Sequence, residues 1–295
     1  MSDRMIYPYL LAIGANLCFG TATIAFSKFV RLHSANFVNQ LKVSVAFICF
    51  IAAFFSLEHY TFLSLSGNLY LLGSGFLGLC VGDLFLFRAF ATLGPARTLV
   101  LYSFQPFMLA CYGYVFLRQG LTNTQAIAII CMIGCVFTFV LERNRTHGKF
   151  DLLEFGGAFL GIFFDAIGIM LSRQAFEGAP TLGSFQANAL RALGALIGFF
   201  LISPKSYASL YREVKAMKAK PRNLILAASF LGTFVSLSLY LSALRNAHVA
   251  SLTAISITLP IWVSLIEHVT HRTWPSKFLW LAFGLFLGGF ILLNL

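Results

Sequence analysis

A run of about 20 mainly apolar residues is hard to bury repeatedly in one soluble fold, yet such runs fill most of this 295-residue chain. They lie at roughly 6–29, 37–57, 69–90, 97–117, 124–141, 152–172, 184–203, 223–244, 249–269 and 277–294. Each has the length of a helix that crosses a hydrocarbon core of roughly 30 Å at about 1.5 Å per residue. The composition agrees, because 59% hydrophobic and only 11% charged residues leave too little polar surface for a soluble domain. A membrane β-barrel would need strands of alternating polarity, and Leu279-Trp280-Leu281-Ala282-Phe283 does not alternate. The predicted fold class is an all-α integral membrane protein with ten transmembrane helices.

The stretch 6–29 is longer than the apolar core of a signal peptide and has no small-residue cleavage pattern after it, so it is expected to remain as a helix. The six cysteines fall inside apolar stretches without a CxxC pair, which points to packing and to neither disulfides nor zinc.

A net charge of +11 would suggest nucleic acid in a soluble protein, but here the basic residues gather between spans, beside lipid headgroups. The connections after the first, third, fifth, seventh and ninth stretches hold fifteen Lys and Arg, and the other side holds Arg4, Arg118, Arg173 and Arg245. The positive-inside rule then places the odd-numbered connections in the cytoplasm and both termini outside it. The expected location is a bacterial inner (plasma) membrane. The basic connection at 204–222 is expected either to lie on the anionic leaflet or to serve as a solvated linker.

Shifting the chain by 154 residues places Gly78, Ala89, Ala96, Pro106, Arg118 and Gly134 over Gly232, Ala243, Ala250, Pro260, Arg272 and Gly288. Upstream, across a gap, Ser27-Lys28 falls on Ser172-Arg173, and Asn39 with Lys42 falls on Asn188 with Arg191. The halves are read as 1–145 and 146–295, five spans each. An odd number of spans means that the second copy enters the membrane inverted, an arrangement from which many secondary transporters build alternating access.

The run from Gly82-Asp83 through Arg88-Ala89 and Gly94-Pro95-Ala96, followed by Gln105-Pro106-Phe107 and Leu121-Thr122, resembles the drug/metabolite transporter superfamily, EamA family. Its second copy runs from Tyr240-Leu241 to Leu259-Pro260 and closes with Gly284 to Gly289. The resemblance implies a ten-helix basket around a central cavity lined by both halves, with amino acids, nucleosides, drugs or other small metabolites as substrates. Members often carry a glutamate where this chain has Gln119 and Thr273, and they commonly have cytoplasmic termini, against the charge count here.

Lipid penalises an unpaired charge, so ionisable residues deep in a span mark a site. Asp165, Arg191, Asp83 and Lys42 qualify. Read functionally, Asp83 and Asp165 bind a cationic group or a coupling proton, while Lys42 and Arg191 hold a carboxylate or phosphate. Read structurally, they neutralise one another between helices, or Lys42 snorkels to the headgroups. Asp83 and Arg88 are about 140° apart around a helix, so each needs a partner elsewhere. Pro106 and Pro260 each free a carbonyl in matching helices, which either points to a midplane site with Tyr102 and Gln105 close by or serves only to kink the helices for packing. Asn16, Tyr240 and Trp262 are further candidates, read either as substrate contacts or as hydrogen-bonded packing residues. GxxxG spacings at Gly78/Gly82, Gly157/Gly161, Gly194/Gly198 and Gly284/Gly288 predict close helix approach, with the stretch before Asp83 packed inward.

These readings predict a secondary transporter for a small-molecule substrate, coupled to protons or to a counter-metabolite, in contact with lipid and not with nucleic acid. No phosphate-binding GxxxxGK[ST] motif is present, and no cofactor or metal is expected. The alternatives are a flippase for a lipid or lipid-linked substrate, and an intramembrane lipid-modifying enzyme. The six scattered histidines and the lack of HExxH or GxSxG motifs argue against an enzyme.

Overall fold

The computed structural model describes residues 3–102, 104, 105, 127, 130, 131, 134, 138, 141, 152–204, 206–246, 258–271 and 276–293. Among the described residues all regular structure is helical. Six helices of the described residues are long and apolar enough to cross a membrane: α1 (Tyr7–Leu32 within a helix that starts at Asp3), α2 (Ala35–Leu57), α3 (Leu65–Thr92), α5 (Phe155–Gly178, starting at Leu152), α6 (Ser184–Ile202) and α8 (Ala219–Arg245). Shorter helices are α4 (Pro95–Tyr102), α7 (Ser206–Ala216), α9 (Thr258–His271) and α10 (Lys277–Leu293).

Local chemistry explains where these helices start and stop. Ser34 is extended and its hydroxyl accepts from Phe37 N–H at 3.1 Å, and Ser64 accepts from Gly67 N–H at the head of α3, so each occupies an orphan donor of a first turn. Between α3 and α4, Gly94 takes φ +84°, a left-handed conformation suited to a residue without Cβ. Pro95 follows at the first position of α4, where a missing N–H costs nothing. Several helices outrun the expected spans. α5 continues past residue 172 because Arg173 and Glu177, one turn apart, pair at 2.9 Å; Arg173, read as a loop residue, is helical. Lys28 and Arg31 likewise belong to α1.

α3 and α8 each contain a π-helical stretch, Gly75–Gly82 and Phe230–Val235. The 154-residue shift superposes them, with Gly78 on Gly232 inside both. Such stretches widen a helix, and they are frequent at functional sites.

The packing crosses between halves. α3 lies against α5 and α6, while α8 lies against α1 and α2. Glycines permit the close approaches: a Cβ at Gly75 would overlap the Arg191 carbonyl, one at Gly194 the Leu72 carbonyl, and one at Gly82 would come within 3.1 Å of the Gly161 carbonyl. The stretch before Asp83 therefore packs inward, as predicted. Gly284 and Gly288 differ, since a Cβ at either meets nothing within 4 Å among the described residues. That GxxxG pair has no close helix approach among the described residues.

Aromatic side chains fill the centre, with Phe26 and Phe87 edge to face at 5.5 Å between α1 and α3. Ile48, Phe55, Phe200 and Leu201 are exposed on the periphery, where a bilayer would cover them.

Candidate functional site

A central cavity of about 130 Å³ is lined from both halves. Lys42 reaches it from α2, Asp83 from the point in α3 where the π-helical stretch returns to α-helix, and Tyr102 from α4. Gln105 follows α4. Asp165 comes from α5, Arg191 from α6 and Tyr240 from α8. Seven of the predicted site residues are thus brought together, although no span supplies more than two of them.

Two charges neutralise each other. Lys42 Nζ lies 2.5 Å from Asp83 Oδ2, and the ammonium also sits 4.7 Å from the Phe87 ring centroid. Lys42 is 2% exposed, so it does not snorkel. Asp83, five residues from Arg88, finds its partner on α2. Arg88 is exposed and lies 5.8 Å from the Phe85 ring.

The other two charges are arranged differently. Asp165 Oδ2 accepts from Gln105 Nε2 at 2.6 Å, and Tyr102 donates to the nearby Gly161 carbonyl at 3.4 Å. Arg191 donates from Nε to Ser74 Oγ at 2.9 Å and from Nη1 to Asn188 Oδ1 at 3.4 Å. Ser74 donates in turn to the Gly168 carbonyl at 2.7 Å and lies 2.7 Å from Ser172 Oγ, tying α3, α5 and α6 at one point. Both Asp165 and Arg191 face Gly78: a Cβ there would be 3.3 Å from Asp165 Oδ1 and 3.9 Å from Arg191 Nη2. Among the described residues no ion pair within 4.0 Å joins Arg191 to Asp165.

Trp262 is not among the residues lining this cavity. Its indole nitrogen donates to Thr21 Oγ1 at 3.2 Å and its ring edge lies against Gly20, because α9 packs on α1 there. Pro260 is buried in α9, also away from the cavity lining, and Pro106 lies outside the described residues. Asn16, Thr233 and Ser236 complete the polar lining. Thr233 and Ser236 carry no charge to betray burial; their only signal was the glycine match at Gly232, next to Thr233. Thr233 is 2% exposed and its hydroxyl has no hydrogen-bond partner among the described residues.

Polar contacts link elements at the two ends of the bundle. At one end, the Glu58 carboxylate after α2 accepts from Phe185 N–H at 3.0 Å and Gln186 N–H at 2.9 Å, capping α6. The Gln186 side chain accepts from Thr61 N–H at 2.9 Å and donates to the Thr61 carbonyl at 2.7 Å. Arg245 donates to the Pro180 carbonyl at 3.0 Å at the same end. At the other end, Glu213 of α7 lies 3.4 Å from His33, in the connection between α1 and α2.

The model of the EamA-like transporter family matches residues 6–141 and again residues 154–295. The chain belongs to this family. It is therefore a multi-pass membrane protein of a family that transports small molecules, built from two copies of the EamA unit. No curated relative matches the sequence. Among solved structures, one crystal structure superposes with a TM-score of 0.63 at 14% identity, over 98% of this chain and 96% of its own, a likeness that shows the fold alone. In this EamA-family chain Lys42 and Asp83 of the first matched segment and Asp165 and Arg191 of the second line one cavity.

Proposed function

We propose that the chain is a secondary transporter that carries a small metabolite through the central cavity by alternating access, its two five-helix halves being inverted copies. The observation that carries this reading is the convergence of Lys42, Asp83, Asp165 and Arg191, two from each half, on one cavity. Buried charges cost several kcal/mol each unless compensated, so a bundle needing only stability would do as well with apolar residues there. The volume is near the roughly 150 Å³ of a cavity that accepts one benzene ring, which fits a small solute.

Three observations support the inversion. α2 ends at Glu58 where α6 begins, so the second span of each half runs opposite to its counterpart. The third span of each half packs on the first two of the other. Both third spans carry a π-helical stretch at matching positions. Glu58 and Glu213 follow the second span of their halves, and each meets the segment that opens the second span of the other half. Alternating access would loosen the grip at one end while tightening it at the other.

Uptake of the substrate into proteoliposomes is expected to follow an imposed pH gradient, and Asp165→Asn to remove that dependence. Exchange independent of the gradient and unaffected by Asp165→Asn and Asp83→Asn would exclude proton coupling.

A flippase reading has one observation in its favour. A side cavity of about 400 Å³ lies among Val30, Ala35, Phe85, Ala89 and Gly157, with Arg88 on its wall, and would suit an acyl chain beside an anionic headgroup. Translocation of a fluorescent anionic lipid in vesicles, lost in Arg88→Gln, would favour it over the metabolite reading.

A further inference from the structure

The two matching basic residues of the cavity have unlike surroundings. Lys42 is closed on a carboxylate, Asp83. The 154-residue shift places Leu237 where Asp83 stands in the first half, so the second half offers Arg191 no matching acid, and among the described residues no ion pair within 4.0 Å joins it to Asp165, the carboxylate that also faces Gly78. Ser74 and Asn188 instead fix the guanidinium through Nε and Nη1, leaving the Nη2 side toward Gly78 and the cavity.

We propose that Arg191 is the anion receptor of the cavity and takes a carboxylate of a small substrate, while Lys42 and Asp83 form a closed pair that joins α2 to α3. The proposal rests on the reading of this cavity as the substrate site. A guanidinium held in one plane by two hydrogen bonds is prepared for a planar, two-oxygen anion and loses little rotamer freedom on binding it. Asp165 selects among anions. A phosphate monoester carrying about −1.5 to −2 charge would face that carboxylate across a cavity of about 130 Å³, whereas a carboxylate brings a single charge. The repulsion that remains is removed in one of two ways: the substrate carries its own ammonium group to Asp165, or Asp165 takes up a proton. Thr233, whose hydroxyl has no hydrogen-bond partner among the described residues, offers a further hydrogen bond on the α8 side.

The test is thermal stability of the purified full chain in detergent with acetate, benzoate and glycine, each against its matched amide: acetamide, benzamide and glycinamide. At least one acid is expected to raise the melting temperature where its amide does not. Arg191→Lys is expected to weaken that acid at least tenfold although the charge is kept, and Arg191→Gln to abolish the shift. Gly156→Ala, at a residue that does not line the cavity, is expected to retain it. A shift by glycine that Asp165→Asn removes assigns the ammonium to Asp165, and a shift by acetate or benzoate that strengthens at low pH assigns the proton; both support the carboxylate receptor. Equal shifts by acid and amide, or an acid shift that survives Arg191→Gln, would overturn the proposal while leaving a small-molecule cavity. Absence of a shift with all six compounds would overturn it together with the reading of the cavity as a site for small solutes of this size.

Discussion

Lys42 and Asp83, forty-one residues apart, form a buried ion pair whose ammonium is also covered by the Phe87 ring. Removing one member leaves an uncompensated charge, whereas removing both leaves an apolar contact. Lys42→Met alone is expected to cost about 3–5 kcal/mol, and Lys42→Met with Asp83→Leu to recover most of that loss. Unfolding of the purified protein in detergent checks this, and an equal loss in the single and double variants would show that the pair does not act as a unit.

The glycines divide by what surrounds them. Gly194→Ala drives a methyl group into the Leu72 carbonyl, and Gly75→Ala one into that of Arg191, so each is expected to destabilise by about 1–3 kcal/mol through backbone displacement. Gly156→Ala meets nothing within 4 Å and is expected to be neutral, or to stabilise by up to about 1 kcal/mol through helix propensity. The same unfolding measurement separates the two groups.

How far the fold could be read from the sequence follows from that contrast. The spans were readable because lipid demands length and apolarity in one continuous run, and the six long helices lie where those runs are. Their ends were less so: Arg173 extends α5 through a pair with Glu177 that a hydropathy window does not register. The π-helical stretches left no periodic trace, since one inserted residue shifts the pattern only locally. Charge in an apolar run singled out Asp83, Asp165, Lys42 and Arg191, and all four line the central cavity. It did not reveal that Lys42 closes on Asp83 while Gln105 takes Asp165, because partners on different helices are set by packing. Trp262 was grouped with them on residue type alone, and the contact between α9 and α1 turns it to Thr21.

The Glu58 clasp joins the halves through two backbone N–H groups at the start of α6. Glu58→Gln keeps an acceptor but loses the charge that favours a helix N-terminus, with an expected cost of about 1 kcal/mol. Hydrogen exchange at Phe185 and Gln186 is expected to accelerate while exchange within Ala35–Leu57 stays unchanged. Uniform acceleration across both helices would instead indicate a general loss of stability.

Loop charge predicts the orientation. In a cysteine-free background, Lys215→Cys is expected to react with a membrane-impermeant thiol reagent only from the cytoplasmic side, and Tyr60→Cys only from the opposite side. The reverse pattern would place the basic connection at 204–222 outside and both termini inside.

Access to the cavity from both faces is the central claim, and Ser236, which lines it at 6% exposure, reports on it directly. In the same cysteine-free background, Ser236→Cys in sealed vesicles of either orientation should be modified by a small impermeant thiol reagent added from either side, as each state opens in turn. Modification from one side only, under every condition of pH and solute gradient, would contradict alternating access through this cavity.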